Sequence, residues 1–219
     1  KTGTLTQNEM TVTSLWVDGQ FVDVTGSGYS RKGEFQVDGK KVDLGNYPAV
    51  ETALWVSVLN NDALLEKNDY AAGFRMVGDP TEGALLVAAV KAGASMKHVL
   101  SAYPRENEIP FDSVRKRMVT IHELKDPQDG DISPVYGNEK KQKYAVAVKG
   151  APDEVLKLCT RIQGMDDKST RPMNDKLQAQ VLAANDAMTD KALRVLGLAF
   201  KLIPTVPDEI RSNNMEHDL

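Results

Sequence analysis

Three observations predict an α+β fold with a twisted, largely antiparallel sheet flanked by helices. Two Asp-Gly hairpins lie in the first forty-odd residues, an Asp-Pro-x-Glu helix start follows at Asp79, and apolar strands separated by helices fill the second half. The bulk numbers bound that reading. A chain of 219 residues buries one sizeable core, and its composition, 41% hydrophobic and 26% charged, is that of a globular domain. Its 27 Lys plus Arg stand against 31 Asp plus Glu, a formal charge of −4, so no broad positive field exists for nucleic acid. No run approaches the ~20 apolar residues of a membrane span, and Lys1-Thr2-Gly3-Thr4 has no apolar core of a signal peptide. Without an initiator Met, the chain is expected to be a piece of a longer one. The single Cys159 excludes an internal disulfide and is compatible with a reducing compartment.

Taken in order, Thr11 to Val17 alternate as a strand, and Asp18-Gly19 turns it into Phe21 to Val24. Glu34 to Val37, Asp38-Gly39 and Lys40 to Val42 repeat the pattern. Gly26-Ser27-Gly28 is a loop, because Arg31 occupies the place of the third glycine a dinucleotide fingerprint needs. Val50, Leu54, Val58 and Leu65 are spaced as an amphipathic helix over residues 48–65. Asp79 as N-cap, Pro80 at N1 and Glu82 at N3 predict a helix to about Lys91, with Gly93 ending it and Glu82 closing a capping box. A short helix from Ser95 stops near Tyr103-Pro104. Residues 108–111 and 117–124 read as neighbouring strands, 126–138 as a polar loop, and 143–148 as a further strand. Pro152 opens a helix with Val155, Leu156 and Leu158. Residues 161–172 read as loop, Asn174 caps a long helix through Met188, residues 192–202 form a strand carrying Arg194, and the last dozen residues fray.

Few residue types suit chemistry. His98, His122 and His217 are isolated from each other and from Cys159 and show no metal-ligand spacing; core or surface roles explain all four. Asp126, Asp129 and Asp131 lack the spacing of a calcium loop. No phosphate cradle of the Gly-Lys-Ser/Thr type is present. The stretch from Ile109 to Ile121 stands out: a proline, then Phe111, then Arg115-Lys116-Arg117 in an acidic chain. An aromatic face beside cations suits a flat ring with an anionic tail, and the plain alternative is a strand with a solvated charged face. Strand alternation sets Lys116 with Met118 on one face, and Arg115 with Arg117, solvated or salt-bridged, on the other. Lys149 ends an apolar strand before Gly150, poorly hydrated on one side, or is an ordinary strand-end lysine beside a turn. Arg194, if inside an apolar strand, needs a carboxylate or a ligand phosphate.

Together these stretches resemble the nucleotide-binding domain of P-type cation-transporting ATPases. Lys1-Thr2-Gly3-Thr4-Leu5-Thr6 resembles the phosphorylation motif cut immediately after its aspartate. Gly78 through Leu85 is similar to the helix start of the nucleotide pocket, Phe111 through Met118 to the adenine shelf, and Lys149-Gly150-Ala151-Pro152 to the Lys-Gly-Ala-Pro signature. Leu193 through Ala199 resembles the last pocket strand. The resemblance spans almost the whole chain, and Thr6 through Val12 with Val24 through Tyr29 is most similar to the type II branch, in particular bacterial calcium pumps of the reticulum type.

The resemblance implies that Phe111 stacks on adenine, that Lys149 lines the back of the ring pocket, and that Glu82 contacts the ring edge or holds Lys149. Lys116 and Arg194 approach ribose and phosphates, and Met118 and Leu196 form apolar walls. Thr81, Gly150 and Ala151 belong to the matched motifs and complete the ATP-binding set with Ser113, which stands where animal reticulum-type calcium pumps carry an arginine. Asp153 replaces a usual Glu. No catalytic or metal-binding residue is implied within the chain: the phosphorylated aspartate would immediately precede Lys1, and Mg2+ would accompany ATP in the complete pump. The implied organisation is a phosphorylation-domain stub and hinge at 1–10, the nucleotide-binding domain at 11–203, and a returning hinge at 204–219. Its partners would be an adenine nucleotide and the phosphorylation and actuator domains of the same parent chain, with the membrane reached only through a transmembrane domain and no nucleic acid. That makes it a cytoplasmic domain of an integral membrane protein. Calcium is the ion the resemblance favours, with Na+, K+ or Mg2+ as the alternative, and the other readings are an interaction module docking an acidic partner through residues 115–117, or a phosphohydrolase of the haloacid dehalogenase type.

Overall fold

A computed structural model describes residues 9–67, 74–126, 132–135, 142–166 and 169–219. The Lys1-Thr2-Gly3-Thr4 motif and most of the 126–138 segment lie outside them. Where that segment is described, Ile132 and Val135 are buried core residues.

Both Asp-Gly turns form. Between β1 (Ser14–Val17) and β2 (Gln20–Val24), Asp18 and Gly19 have φ of 45° and 90°. Between β3 (Phe35–Val37) and β4 (Lys40–Lys41), Asp38 and Gly39 have φ of 50° and 73°. Two successive left-handed residues define the turn whose twist matches the flanking strands. The strands pair in the order β1-β2-β3-β4.

Helix α1 (Pro48–Leu59) starts on its proline and is the centre of the molecule. Ten of its twelve residues are buried, so it is a core helix rather than the amphipathic helix expected to reach Leu65. It packs against Val22, Val24 and Phe35 of the first sheet and against Ala145, Ala147 and Phe200 of the second. Trp55 is fully buried, edge-on to Tyr103 at 5.4 Å and to Phe200 at 5.9 Å. The helix stops at Asn60, and Leu65 instead belongs to β5 (Leu64–Lys67), which pairs with β6 (Phe74–Val77) in a hairpin with no counterpart in the sequence reading.

α2 (Pro80–Lys91) and α3 (Met96–Ala102) follow, N-capped by Asp79 and Ser95 as their spacing predicts. Then β7 (Arg105–Asp112), β8 (Arg117–Glu123), β9 (Tyr144–Gly150) and β12 (Gly197–Ile203) form the second sheet, in the order β12-β9-β8-β7. α4 (Pro152–Leu156) and α5 (Asp175–Thr189, capped by Asn174) lie between β9 and β12 in the chain. Residues 161–172 are not plain loop: β10 (Arg161–Gln163) and β11 (Thr170–Pro172) pair, and Asp18 in the first hairpin turn accepts from Met165 N at 2.9 Å and pairs with Arg171. The mixed α+β class holds and every pairing is antiparallel, but the strands divide among two four-stranded sheets and two hairpins instead of one sheet.

The central strands β8 and β9 are buried on both faces, as a near-continuous apolar run requires. Met118, Thr120, His122, Ala145, Ala147 and Lys149 alternate with Val119, Ile121, Val146 and Val148. The alanines join the α1 core, and the branched residues form a second cluster with Val155, Met215 and Leu219. The C-terminus is therefore docked, not frayed. α6 (Ser212–Met215) inserts Met215, the Leu219 carbonyl accepts from Thr160 N at 2.8 Å, and Leu219 N donates to Leu158 O at 3.0 Å. No single described helix is long and apolar enough to cross a membrane.

His122 lies inside the α1 core, with Nδ1 2.9 Å from the Tyr103 carbonyl. Burial drives its pKa down to about 4, and the Tyr103 hydrogen bond opposes this only in part. A folded-state pKa below the unfolded value of ~6.5 means protons bind the unfolded chain preferentially, so the stability it contributes is lost as pH falls from 6.5 towards 4. Urea unfolding should therefore show about 2 kcal/mol less stability at pH 5 than at pH 7. His122→Asn, whose amide can still donate to the Tyr103 carbonyl, should lack most of that difference; an undiminished difference would refute the assignment.

Candidate functional site

The helix-end carbonyls of α1 organise the site. An α-helix leaves its last carbonyls without backbone donors, and burying them requires side-chain partners. Three cross-chain groups supply them. Lys149 Nζ donates to Asn60 O at 2.6 Å, Arg105 donates to Asn61 O at 2.7 Å, and Thr120 Oγ1 reaches Leu59 O at 3.4 Å. Asn60, fully buried, sends its amide the other way, to Met118 O at 3.1 Å and Ala147 O at 2.8 Å. One asparagine thus ties α1 to β8 and β9.

Lys149 is only 8% exposed and needs a counter-charge. Glu82 provides it at 2.6 Å through Oε1, while its Oε2 accepts from Asp62 N at 3.1 Å. Glu82 therefore does not close a capping box. Asp79 caps α2 through Thr81 N at 2.7 Å, and Glu82 reaches across to the α1 end. Of the two roles implied for Glu82, holding Lys149 is the one its geometry performs. Two of the three Lys149 donors are used inside the chain, leaving one for a ligand acceptor.

Strand register sets Met118 opposite Lys149, and Lys149 opposite Leu198. Asp112 lies opposite Arg117, which lies opposite Gly150, so Phe111 stands at the same end of the sheet. Phe111 is 64% exposed, unusual for a phenylalanine next to a full core. Residues 113–116 are a turn, so strand alternation does not govern Lys116. Its backbone is left-handed, φ 53°, with its N–H on Asp112 O at 2.6 Å and its carbonyl accepting from Ala151 N at 2.9 Å. Gly150 is required here, because a Cβ would meet Lys116 O and Arg117 Cβ, both at 2.5 Å. The Lys-Gly-Ala and Phe-to-Met motifs are thereby joined backbone to backbone. Lys116 and Ser113 are exposed, whereas Arg115 and Arg117 turn to the buried carboxylate of Glu216.

Arg194 departs from expectation. It precedes β12 and is exposed, so it carries no burial penalty that demands a partner. Its charge acts on Asp79: burial alone would raise that carboxyl's pKa, but the Thr81 hydroxyl, the N–H groups of Thr81 and Glu82, and last Arg194 bring it below the usual range. Thr81 and Arg194 are thus linked through the α2 start. They also line, with Leu196, a cavity of about 740 Å3 between β1, α1, α5 and β12. Glu82, Phe111, Lys116, Met118 and Lys149 do not line it. The cavity walls are mainly aliphatic, a poor match for an anionic ligand.

Among the described residues no group of three or more His, Cys, Asp and Glu stands together to hold a metal. Burial pushes the Cys159 thiol up to about 11, and its S–H lies 3.3 Å from Val155 O, so it is a poor nucleophile. The residues that motif reading missed are Asn60, Arg105 and Glu216. A run of Asn60-Asn61-Asp62 after an apolar helix signals the first; nothing local signals the last.

Comparison with known proteins gives the same direction. Residues 49–219 match the family model described as "P-type ATPase, cytoplasmic domain N". The chain is 36% identical over 203 residues to "Calcium-transporting ATPase" of Bacillus subtilis, covering 93% of this chain and 21% of that protein. It is 38% identical to "Cation-transporting ATPase pma1" of Synechocystis, over 93% of this chain and 20% of that one. To human "Calcium-transporting ATPase type 2C member 1" it is 35% identical, over 91% and 19%. The chain spans about a fifth of the length of these curated relatives.

The buried pair makes a stability prediction. Glu82→Gln or Lys149→Met alone leaves one charge buried without its partner and should cost about 2–4 kcal/mol in urea denaturation. The double variant should cost about 1–3 kcal/mol less than the sum of the singles. Strictly additive losses would show that the two side chains do not interact in solution.

Proposed function

Because this chain belongs to the P-type ATPase family, within its cytoplasmic domain N, we propose that it is the ATP-holding part of a membrane-embedded cation pump. The observation that carries the reading is the solvent-facing Phe111 beside the exposed Lys116, at the same sheet end as Lys149. An adenine ring stacking on Phe111 would gain about 1–3 kcal/mol. Lys149, oriented by Glu82 and by the Asn60 carbonyl, presents its remaining N–H to a ring acceptor, and Met118 adds an apolar wall. Lys116 and Arg194 would approach the ribose and phosphates, each charge-assisted contact contributing about 1.5–3 kcal/mol when formed. Ser113 offers only a hydroxyl at the exposed turn.

ATP would supply a γ-phosphoryl group for transfer to an aspartate outside these 219 residues, so the chain's own task is to bind and orient. The described residues bring no carboxylate cluster together that would hold Mg2+. Residues 1–10 and 204–219 would be the two strands of a hinge to the phosphorylation domain, flanking a nucleotide domain at 11–203. The domain would face the cytoplasm and work with the phosphorylation and actuator domains of its parent chain. Calcium is the favoured ion, since two of the three relatives above carry it in their names. The third, named only for cations, supports a type II pump for another ion.

With ring contacts dominant and few phosphate ligands, ATP should bind this chain with a Kd on the order of 0.1–1 mM. An amide-shift titration measures it. Phe111→Ala should weaken binding about tenfold, the equivalent of ~1.4 kcal/mol of lost stacking. ATP-induced shifts that survive that substitution unchanged would remove Phe111 from the site.

A further inference from the structure

Glu216 has no place in the motifs that identify the site, yet it is a buried carboxylate. Its side chain is 2% exposed and is held between Arg115 and Arg117. Arg117 Nε donates to Oε2 at 2.8 Å, and Arg115 Nη1 pairs with Oε1. The guanidiniums are fixed in turn, Arg115 Nη2 on Pro110 O at 2.7 Å and Arg117 Nη1 on Arg115 O at 3.0 Å. These two arginines flank Lys116, the exposed cation of the β7–β8 turn.

Three consecutive cations repel one another, and each gains by reaching water. Glu216 draws the outer two inward and leaves the middle one outside. A lysine in the left-handed region persists only where its surroundings over-determine it. Here Asp112 holds the turn from below, accepting from Val114 N at 3.0 Å and Arg115 N at 2.7 Å, and Ala151 holds the Lys116 carbonyl. The Arg-Glu-Arg fork completes the constraint from a different part of the chain. Glu216 directly follows α6 and is anchored by buried Met215 before it and Leu219 after it.

We propose that Glu216 is a positioning residue that presents Lys116 to the phosphate end of a nucleoside polyphosphate, so that nucleotide binding and docking of residues 212–219 are coupled. The proposal rests on the nucleotide reading above and adds a residue and a linkage to it. By reciprocity, if a docked segment favours phosphate binding at Lys116, phosphate at Lys116 tightens the segment. Adenosine, which lacks phosphates, exerts no such effect.

Amide hydrogen exchange on the unaltered 219-residue chain tests this directly. Near-saturating ATP should slow exchange at Glu216, Leu219 and Thr160, whose N–H groups hold the docked segment, and adenosine at matched occupancy should not. Glu216→Gln should weaken ATP binding roughly three- to tenfold while leaving adenosine affinity within about twofold. ATP shifts at Phe111 with unchanged exchange at Leu219, or equal protection by adenosine, would overturn the coupling and leave the nucleotide reading standing. A chain that shows no response to ATP anywhere would overturn both. The exchange comparison needs no variant, so it decides the matter even if Glu216→Gln fails to fold.

Discussion

The end of α1 is the constraint on which the rest of the structure depends. A helix buried around its whole circumference must stop inside the protein, and its last carbonyls must then be satisfied without water. Lys149, Arg105 and Thr120 come from three strands of one sheet to do this, and Asn60 returns two hydrogen bonds to the carbonyls of two of those strands. The sheet is thereby held to the helix end by polar contacts with fixed direction, which apolar packing alone does not provide. Lys149 is also the reason Glu82 is drawn away from its own helix terminus. A charge placed to close a helix brings a counter-charge with it, and the two together become the floor of the candidate site.

The two faces of β8 and β9 divide the labour. One carries Met118, His122, Ala147 and Lys149 towards α1, and the other carries Val119, Ile121, Val146 and Val148 towards α4 and the C-terminal segment. The β7–β8 turn lies at the Gly150 end of β9. Asp112, Ala151 and Glu216 hold it from three parts of the chain, and Gly150 lets the neighbouring strand approach closely enough for the Ala151 contact. Fixing a solvent-facing lysine this way cannot be explained by burial of the lysine itself.

Much of this was legible beforehand, for identifiable reasons. Local chemistry announces itself: Asp-Gly turns with two left-handed residues, and Asp79-Pro80 and Asn174 as helix starts, formed as read. The motifs read as belonging to one family lie in a chain that does belong to it. Several of the errors trace to a partner distant in sequence. The carbonyls at the end of the helix are met by strands 44 to 89 residues later, and residues 161–172 form a hairpin whose contacts with Asp18 span 147 and 153 residues. Arg194 was misplaced because an apolar run read as one long strand begins its pairing only at Gly197.

The sequence by itself determined the class, the family and the residue types available for a ring and a phosphate, since those follow from short-range patterns that need no partner. Only the tertiary structure decided their roles. It turned Glu82 from a cap into a counter-ion, drew Arg115 and Arg117 to Glu216, left Lys116 exposed between them, and docked a polar tail expected to fray. Each decision belongs to a buried charge, and a buried charge takes its meaning from whatever the fold brings within hydrogen-bonding distance.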